Sequence, residues 1–305
     1  MVKKAVLMLA YGSPDCLDDM EAYLNDIRGG RPMSREFVTE FKHRYAQIGG
    51  RSPLGENTFE QAACAQRVLR ARGHDVRVYV GMRHWSPWIR ETVVRMTGDG
   101  VEEAVAIVMA PHYSSLSIGR YREAVDESAK TAGGRIRFSF VDSWWRQPAL
   151  LKAQEAHVRA GLASFSGDDR KAVKIVFTAH SLPERLLKMG DPYDSELKGN
   201  ANAIAQRLGT VDWMFSYQSA AHTGEPWLGP QIEDVIPDLA DKGYRHVLVA
   251  PIGFVCDHVE ILYDIDIGLQ EIARSRGVDV RRIASMNCDA TFIEAVVDAV
   301  EDRLN

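Results

Sequence analysis

Eight short runs rich in β-branched and apolar residues punctuate the chain, separated by helix-length segments: KAVLMLA, HDVRVYVG, EAVAIVMA, RIRFSFV, VKIVFTA, VDWMFSY, RHVLVAP and DVRRIAS. This alternation argues for parallel sheets built from βαβ units. The ends of the runs also repeat. AYGSP, YVGMRHWSPW and MAPHYSS in the first half are answered, in the same order, by AHSLP, SYQSAAHTGEPW and VAPIGFV in the second. We read this as an old duplication giving two similar α/β lobes. At 305 residues the chain is long for one hydrophobic core. The boundary is expected near LASFSGDDRKAVK, which divides it into residues 1–165 and 166–305. The C-terminal helix is left free to pack back on the first lobe.

Ligands of open parallel sheets bind outside the carboxyl ends of the strands, where loops and helix N-termini converge. The unusual residues lie at those ends. Tyr11, His112, His180, His222 and Glu260 each follow an apolar run, so two facing lobes would place them around a shared cleft.

What the site holds is narrowed by what is missing. A net charge of −5 gives no general reason to attract nucleic acid or an anionic membrane. The apolar run after MVKK is too short for a secretory signal and ends in a turn, and no stretch approaches the length needed to span a bilayer. Cys16, Cys64, Cys256 and Cys288 are widely spaced, which suggests neither a disulfide framework nor a zinc knuckle and fits a reducing cytoplasm. No G-x-G-x-x-G, Walker loop or G-x-S-x-G occurs, so dinucleotide, phosphoryl and hydrolase chemistry lose their main support.

In IVFTAHSLPER, His180 leaves a strand directly, with Ser181 as a candidate helix cap and Pro183 as a first-turn residue. A histidine at such a rim is either a structural hydrogen-bonding group or a proton acceptor. The stretch VLVAPIGFVCDHVEILYDID leaves a strand at Pro251, turns at Gly253 and enters a helix near Asp257, a candidate N-cap, with His258 and Glu260 in its first turn. If Glu260 faces His180, the pair makes either a proton-transfer couple or a transient metal site. Aromatic and basic residues gather in HRYAQIGGRSPL and SIGRYREA, a tyrosine wall with which Arg44 and Ser52 of the first stretch, and Arg28 upstream of it, could hold carboxylates, against the alternative that these arginines merely face solvent.

The motifs LAYGSP, RYAQIGGRSPL, APHYSSLSIGRY, FTAHSLPER, GDPY, YQSAAHTGEPWLGP and PIGFVCDHVEILYD occur in an order that resembles ferrochelatases, specifically the compact bacterial enzymes acting on coproporphyrin III. The resemblance implies two Rossmann-like lobes, each a parallel four-stranded sheet flanked by helices, with the active-site cleft between them. It implies insertion of ferrous iron into a porphyrin with release of two protons, in haem biosynthesis. His180 would be the catalytic histidine and Glu260 its partner, both able to meet the metal. Tyr11 would be the axial ligand to iron from the opposite face, and Arg28, Arg44, Tyr45, Ser52 and Tyr121 would hold the macrocycle and its propionates.

Ferrous iron is then a substrate, and no organic cofactor is expected. The cysteines match no cluster pattern, so an iron-sulfur cluster is not expected. Gly268 stands where a glutamate of an outer magnesium site is anticipated, although Asp264 is in place. A monomer is expected, and family context alone implies a transient contact with the next haem-pathway enzyme. Two rivals stay open: a protoporphyrin IX ferrochelatase of similar build, and a non-catalytic porphyrin or haem carrier. Chelatases of reduced tetrapyrroles share the general fold but not the AHSLPE and DHVE contexts.

Overall fold

The computed structural model describes residues 2–221 and 224–304. Its eight strands coincide with the eight apolar runs: β1 (Lys4–Ala10), β2 (Arg77–Met82), β3 (Glu103–Val108), β4 (Arg137–Val141), β5 (Lys174–His180), β6 (Trp213–Gln218), β7 (His246–Ala250) and β8 (Asp279–Arg282). In the first half the helices are α1 (Met20–Ile27), α2 (Arg35–Gln47), α3 (Leu54–Ala71), α4 (Ile89–Gly98), α5 (Ile118–Thr131) and α6 (Pro148–Ala163). The second half adds α7 (Arg185–Lys188), α8 (Tyr193–Leu208), α9 (Ile232–Asp241), α10 (Val259–Leu262), α11 (Gln270–Ser275) and α12 (Ala290–Leu304). A π-helical turn, Asp264–Leu269, joins α10 to α11.

The strands form two four-stranded sheets in the orders β2-β1-β3-β4 and β6-β5-β7-β8. The two orders are the same topology used twice, and every pairing is parallel. Strands covered on both faces must be apolar throughout, which is why β1 reads KAVLMLA without alternation. In each sheet the strand order reverses beside the first strand, between β1 and β3 and between β5 and β7. Such a reversal opens a crevice at the carboxyl ends. Tyr11 follows β1, and His180 ends β5, so the two residues stand at equivalent positions of the repeated fold.

The cores are not confined to their own halves of the sequence. The buried face of α12, including Phe292, Val296, Val297 and Val300, packs with Val6, Met8 and Leu69 in the core of the first sheet. Helix α6 contributes Leu150 and Ala153 to that same core, and Val158 to a core of the second sheet. The seam between the sheets is polar and specific. Asp191 accepts hydrogen bonds from the Ser115 backbone at 2.6 Å and its hydroxyl at 2.7 Å, and buried His112 bonds Asn200 at 3.0 Å. Among the described residues, no helix is long and apolar enough to cross a membrane.

Candidate active site

Two glycines let the chain close over the switch points. Gly12 has φ +94° and sits so near Trp85 that a Cβ would lie 2.8 Å from its backbone nitrogen. Gly253 crosses the end of β5, where a Cβ would come within 2.4 Å of Ala179 Cβ. A side chain at either place would push against Trp85 in one lobe and Ala179 in the other, the latter the residue before His180.

His180 is fixed through both its backbone and its ring. Tyr193 donates its hydroxyl to the His180 carbonyl at 3.0 Å, and Nδ1 bonds the Ser181 carbonyl. A carbonyl only accepts, so Nδ1 carries a proton and Nε2 is the ring nitrogen left to face Glu260. Glu260 Oε2 lies 3.7 Å from that Nε2. Buried Gln218 donates to the Glu260 carbonyl at 3.0 Å and accepts from Thr178 at 2.8 Å, tying the start of α10 to β5. The Glu260 backbone is therefore held while its carboxylate stays uncommitted: Oε2 is buried with no hydrogen-bond partner among the described residues. A buried carboxylate oxygen of this kind is costly unless a proton or cation arrives to meet it.

One turn further, Asp264 accepts from Ser219 Oγ at 2.6 Å and lies 3.9 Å from Arg44 of the first lobe. Burial, reinforced by the charge of Glu260, pushes the Asp264 carboxyl up to about 6. Its folded pKa thus exceeds the ordinary aspartate value of 3.8, so its ionisation progressively penalises the native state as pH rises from about 4 to above 6. Asp264→Asn is expected to stabilise the protein by about 1–3 kcal/mol at pH 8 and by almost nothing near pH 4. Denaturant unfolding at the two pH values checks this, and an equal effect at both would contradict it.

The first lobe supplies the facing wall. Tyr11 keeps 39% of its surface open, and its ring packs 4.5 Å from that of His84. Desolvation pushes its phenol up to about 12; Arg83 pulls down, and Glu260, across the cleft, pushes further up. Such a phenol stays protonated near neutrality unless a metal displaces the proton. Tyr45 is buried, shares a 3.2 Å hydrogen bond with Ser13, and is also raised to about 12 by burial. Tyr121 is buried beneath the Arg83 guanidinium, and burial raises its phenol too. Arg44 stacks over Phe41 and Tyr263 and pairs with Glu40.

Not every residue singled out in the sequence joins this group. Ser52 is buried, and its Oγ accepts from the Leu54 backbone at 3.4 Å at the start of α3. Arg28 is exposed beyond α1, donating to the Pro32 carbonyl at 3.3 Å. His112, expected at the cleft, is enclosed in the interlobe seam, where burial lowers its pKa to about 4. Ser181 does not cap a helix: it is fully buried and donates to the Leu228 carbonyl at 2.7 Å, and α7 begins only at Arg185. Asp257 is not the N-cap of α10; His258 is, while Asp257 accepts from Ser285 and Asn287. Trp144 and Trp145 are core residues, whereas Trp227 lies 6.3 Å from the His180 ring. His222 lies outside the described residues.

Sequence reasoning missed Arg83, His84 and Asp26, whose 2.8 Å bond to His84 orients the ring under Tyr11. The signal was in YVGMRHWSPW, set aside as a strand end. It also missed the π-helical turn, a rare conformation frequent at functional sites, which no periodicity announces.

Comparison with known proteins shows the family and the fold of the chain. The family model described as Ferrochelatase matches residues 3–304. A protein of Deinococcus radiodurans named ferrochelatase is 42% identical over 300 residues, covering 98% of this chain and 95% of that one. One of Geobacillus thermodenitrificans named coproporphyrin III ferrochelatase is 39% identical over 309 residues, covering 100% and 98%. Among solved structures, SirB from Bacillus subtilis with Fe3+ superposes with a TM-score of 0.61 at 11% identity, covering 99% of this chain and 95% of that one, a likeness of fold alone.

Proposed function

The chain belongs to the ferrochelatase family and is an enzyme that inserts metal into porphyrin, and from that premise we propose that its porphyrin is coproporphyrin III. The observation that carries the reading is that Tyr11 and His180 follow equivalent strands of the two lobes, with the unpartnered Glu260 carboxylate oxygen 3.7 Å from His180 Nε2.

Metal insertion replaces two pyrrole N–H protons by one divalent cation, so two protons must leave the ring as iron enters. In this reading the Nε2 lone pair of His180 receives a pyrrole proton, and the neighbouring Glu260 carboxylate stabilises the imidazolium or meets the incoming ion. Tyr11 approaches the metal from the other face. Its phenol loses its proton only against iron, which suits a ligand that engages after insertion and not before. Coproporphyrin carries four carboxylates. Arg44 within the wall is the guanidinium group we assign to them, with Tyr45 and Tyr121 behind it, while Arg28 and Ser52 stand outside this group.

The test is an anaerobic absorbance assay with ferrous iron and, in parallel, coproporphyrin III or protoporphyrin IX. Faster turnover of coproporphyrin is expected. Tyr11→Phe should alter the spectrum of bound iron coproporphyrin while leaving metal-free porphyrin binding nearly unchanged. Preference for protoporphyrin would overturn the substrate assignment, and an unchanged spectrum would remove Tyr11 as a ligand.

A further inference from the structure

Two cysteines far apart in the sequence meet in the fold. Cys64, in the middle of α3, and Cys288, in the segment leading to α12, lie with their sulfurs 2.9 Å apart across a sequence separation of 224. Both are partly exposed. The other two thiols are in different circumstances: Cys256 is buried, and Cys16 is exposed beside the Asp19 carboxylate.

The contact is held from both sides. One turn before Cys64, Gln61 donates to the Val255 carbonyl at 3.2 Å and to the Asn287 carbonyl at 3.0 Å. Asn287, the neighbour of Cys288, takes the Asp257 backbone N–H at 2.8 Å and donates to the Asp257 carboxylate at 2.9 Å. Residues at i and i+3 share a helix face, so the bonds of Gln61 also set the position of Cys64. The Arg67 guanidinium donates to Cys64 Sγ at 3.0 Å, which fixes that sulfur from a third side.

We propose that Cys64 and Cys288 are a site of reversible oxidation, closed to a disulfide by hydrogen peroxide, a modification that goes beyond metal insertion and does not depend on the porphyrin assignment. The Cys64 thiolate attacks one peroxide oxygen and the O–O bond breaks, leaving a sulfenic acid and, after protonation, one water. The Cys288 sulfur then displaces the sulfenic oxygen, which leaves with the Cys288 proton as a second water. Two thiols and one peroxide become one disulfide and two waters, and an external dithiol reverses the change. Because the resolving thiol already touches Cys64, closure should outrun further oxidation.

The experiment treats reduced full-length protein with stoichiometric hydrogen peroxide, alkylates the remaining thiols and maps peptides without reduction. Two of the four thiols should disappear together into a Cys64–Cys288 cross-link, and dithiothreitol should restore them. The thermal midpoint should rise by roughly 5 °C or more on closure, since the bond closes a very long loop. Cys288→Ser should leave Cys64 trapped as a dimedone-reactive sulfenic acid, and Cys64→Ser should abolish peroxide uptake by Cys288. Survival of all four thiols, oxidation that stops at Cys64 in the parent protein, or cross-links between molecules through Cys16 would each overturn the proposal.

Discussion

His180→Ala is expected to slow metal insertion by about 100- to 10,000-fold, the range over which a positioned proton acceptor contributes to catalysis. Porphyrin affinity, followed by fluorescence quenching, should change little. The separation follows from geometry. Nδ1 of the imidazole is committed to the Ser181 carbonyl, and the backbone beneath it to Tyr193, so the ring offers the cleft a single functional atom, Nε2. Truncation removes that atom without breaking a strand, since β5 is held by backbone bonds to β6 and β7. Insertion is read anaerobically with ferrous iron as the loss of free-porphyrin absorbance. Turnover within a few-fold of the parent would remove His180 from the chemistry, and loss of porphyrin binding would make it an anchor instead.

Glu260→Gln should cost about 100-fold or more in the same assay. The substitution keeps shape and backbone, including the bond from Gln218 to the Glu260 carbonyl, and deletes only the charge. That charge is felt widely: it raises the carboxyl of Asp264 and the phenols of Tyr11 and Tyr45. The variant should therefore show lowered pKa values at these groups, seen by ultraviolet titration of the tyrosines. Groups acting as one unit are not additive, so the double variant with His180→Ala should be little slower than the worse single variant. Multiplied losses would mean that the two residues serve separate steps. A single Glu260→Gln variant close to parent activity would sink the role altogether.

All eight strands were legible because parallel strands buried on both faces write themselves as continuous apolar runs. The duplication was legible because both copies keep the same kind of strand end, AYGSP and AHSLP, where a chain must turn sharply beside Tyr11 or His180. Tyr11, His180 and Glu260 were singled out by that rule, and the structure sets Glu260 3.7 Å from His180. What remained hidden depends on contacts between segments distant in the sequence. Ser181 reads as a cap until Leu228 supplies a buried acceptor, and Asp257 reads as a cap until Ser285 and Asn287 claim its carboxylate. His112 sits at a strand end like His180, but Asn200 of the other lobe takes its ring. The cysteines illustrate the same limit: spacing shows pairs within one segment, not a meeting of α3 with the approach to α12.

The placement of α12 bears on the order in which the molecule can be assembled. Its buried residues, among them Phe292, Ile293, Val296, Val297, Val300 and Leu304, complete the core around β1, a strand made well before them. Their burial contributes on the order of 10 kcal/mol before entropy is counted, as much as the net stability of a typical domain. The first sheet therefore stays unfinished while the ribosome makes the second, and closes only when residues 290–304 arrive. Synthesis from the N-terminus usually lets domains fold one after another. Here the half made earlier must wait for a helix made after the second sheet, with its apolar strands exposed to whatever shields nascent chains in the meantime.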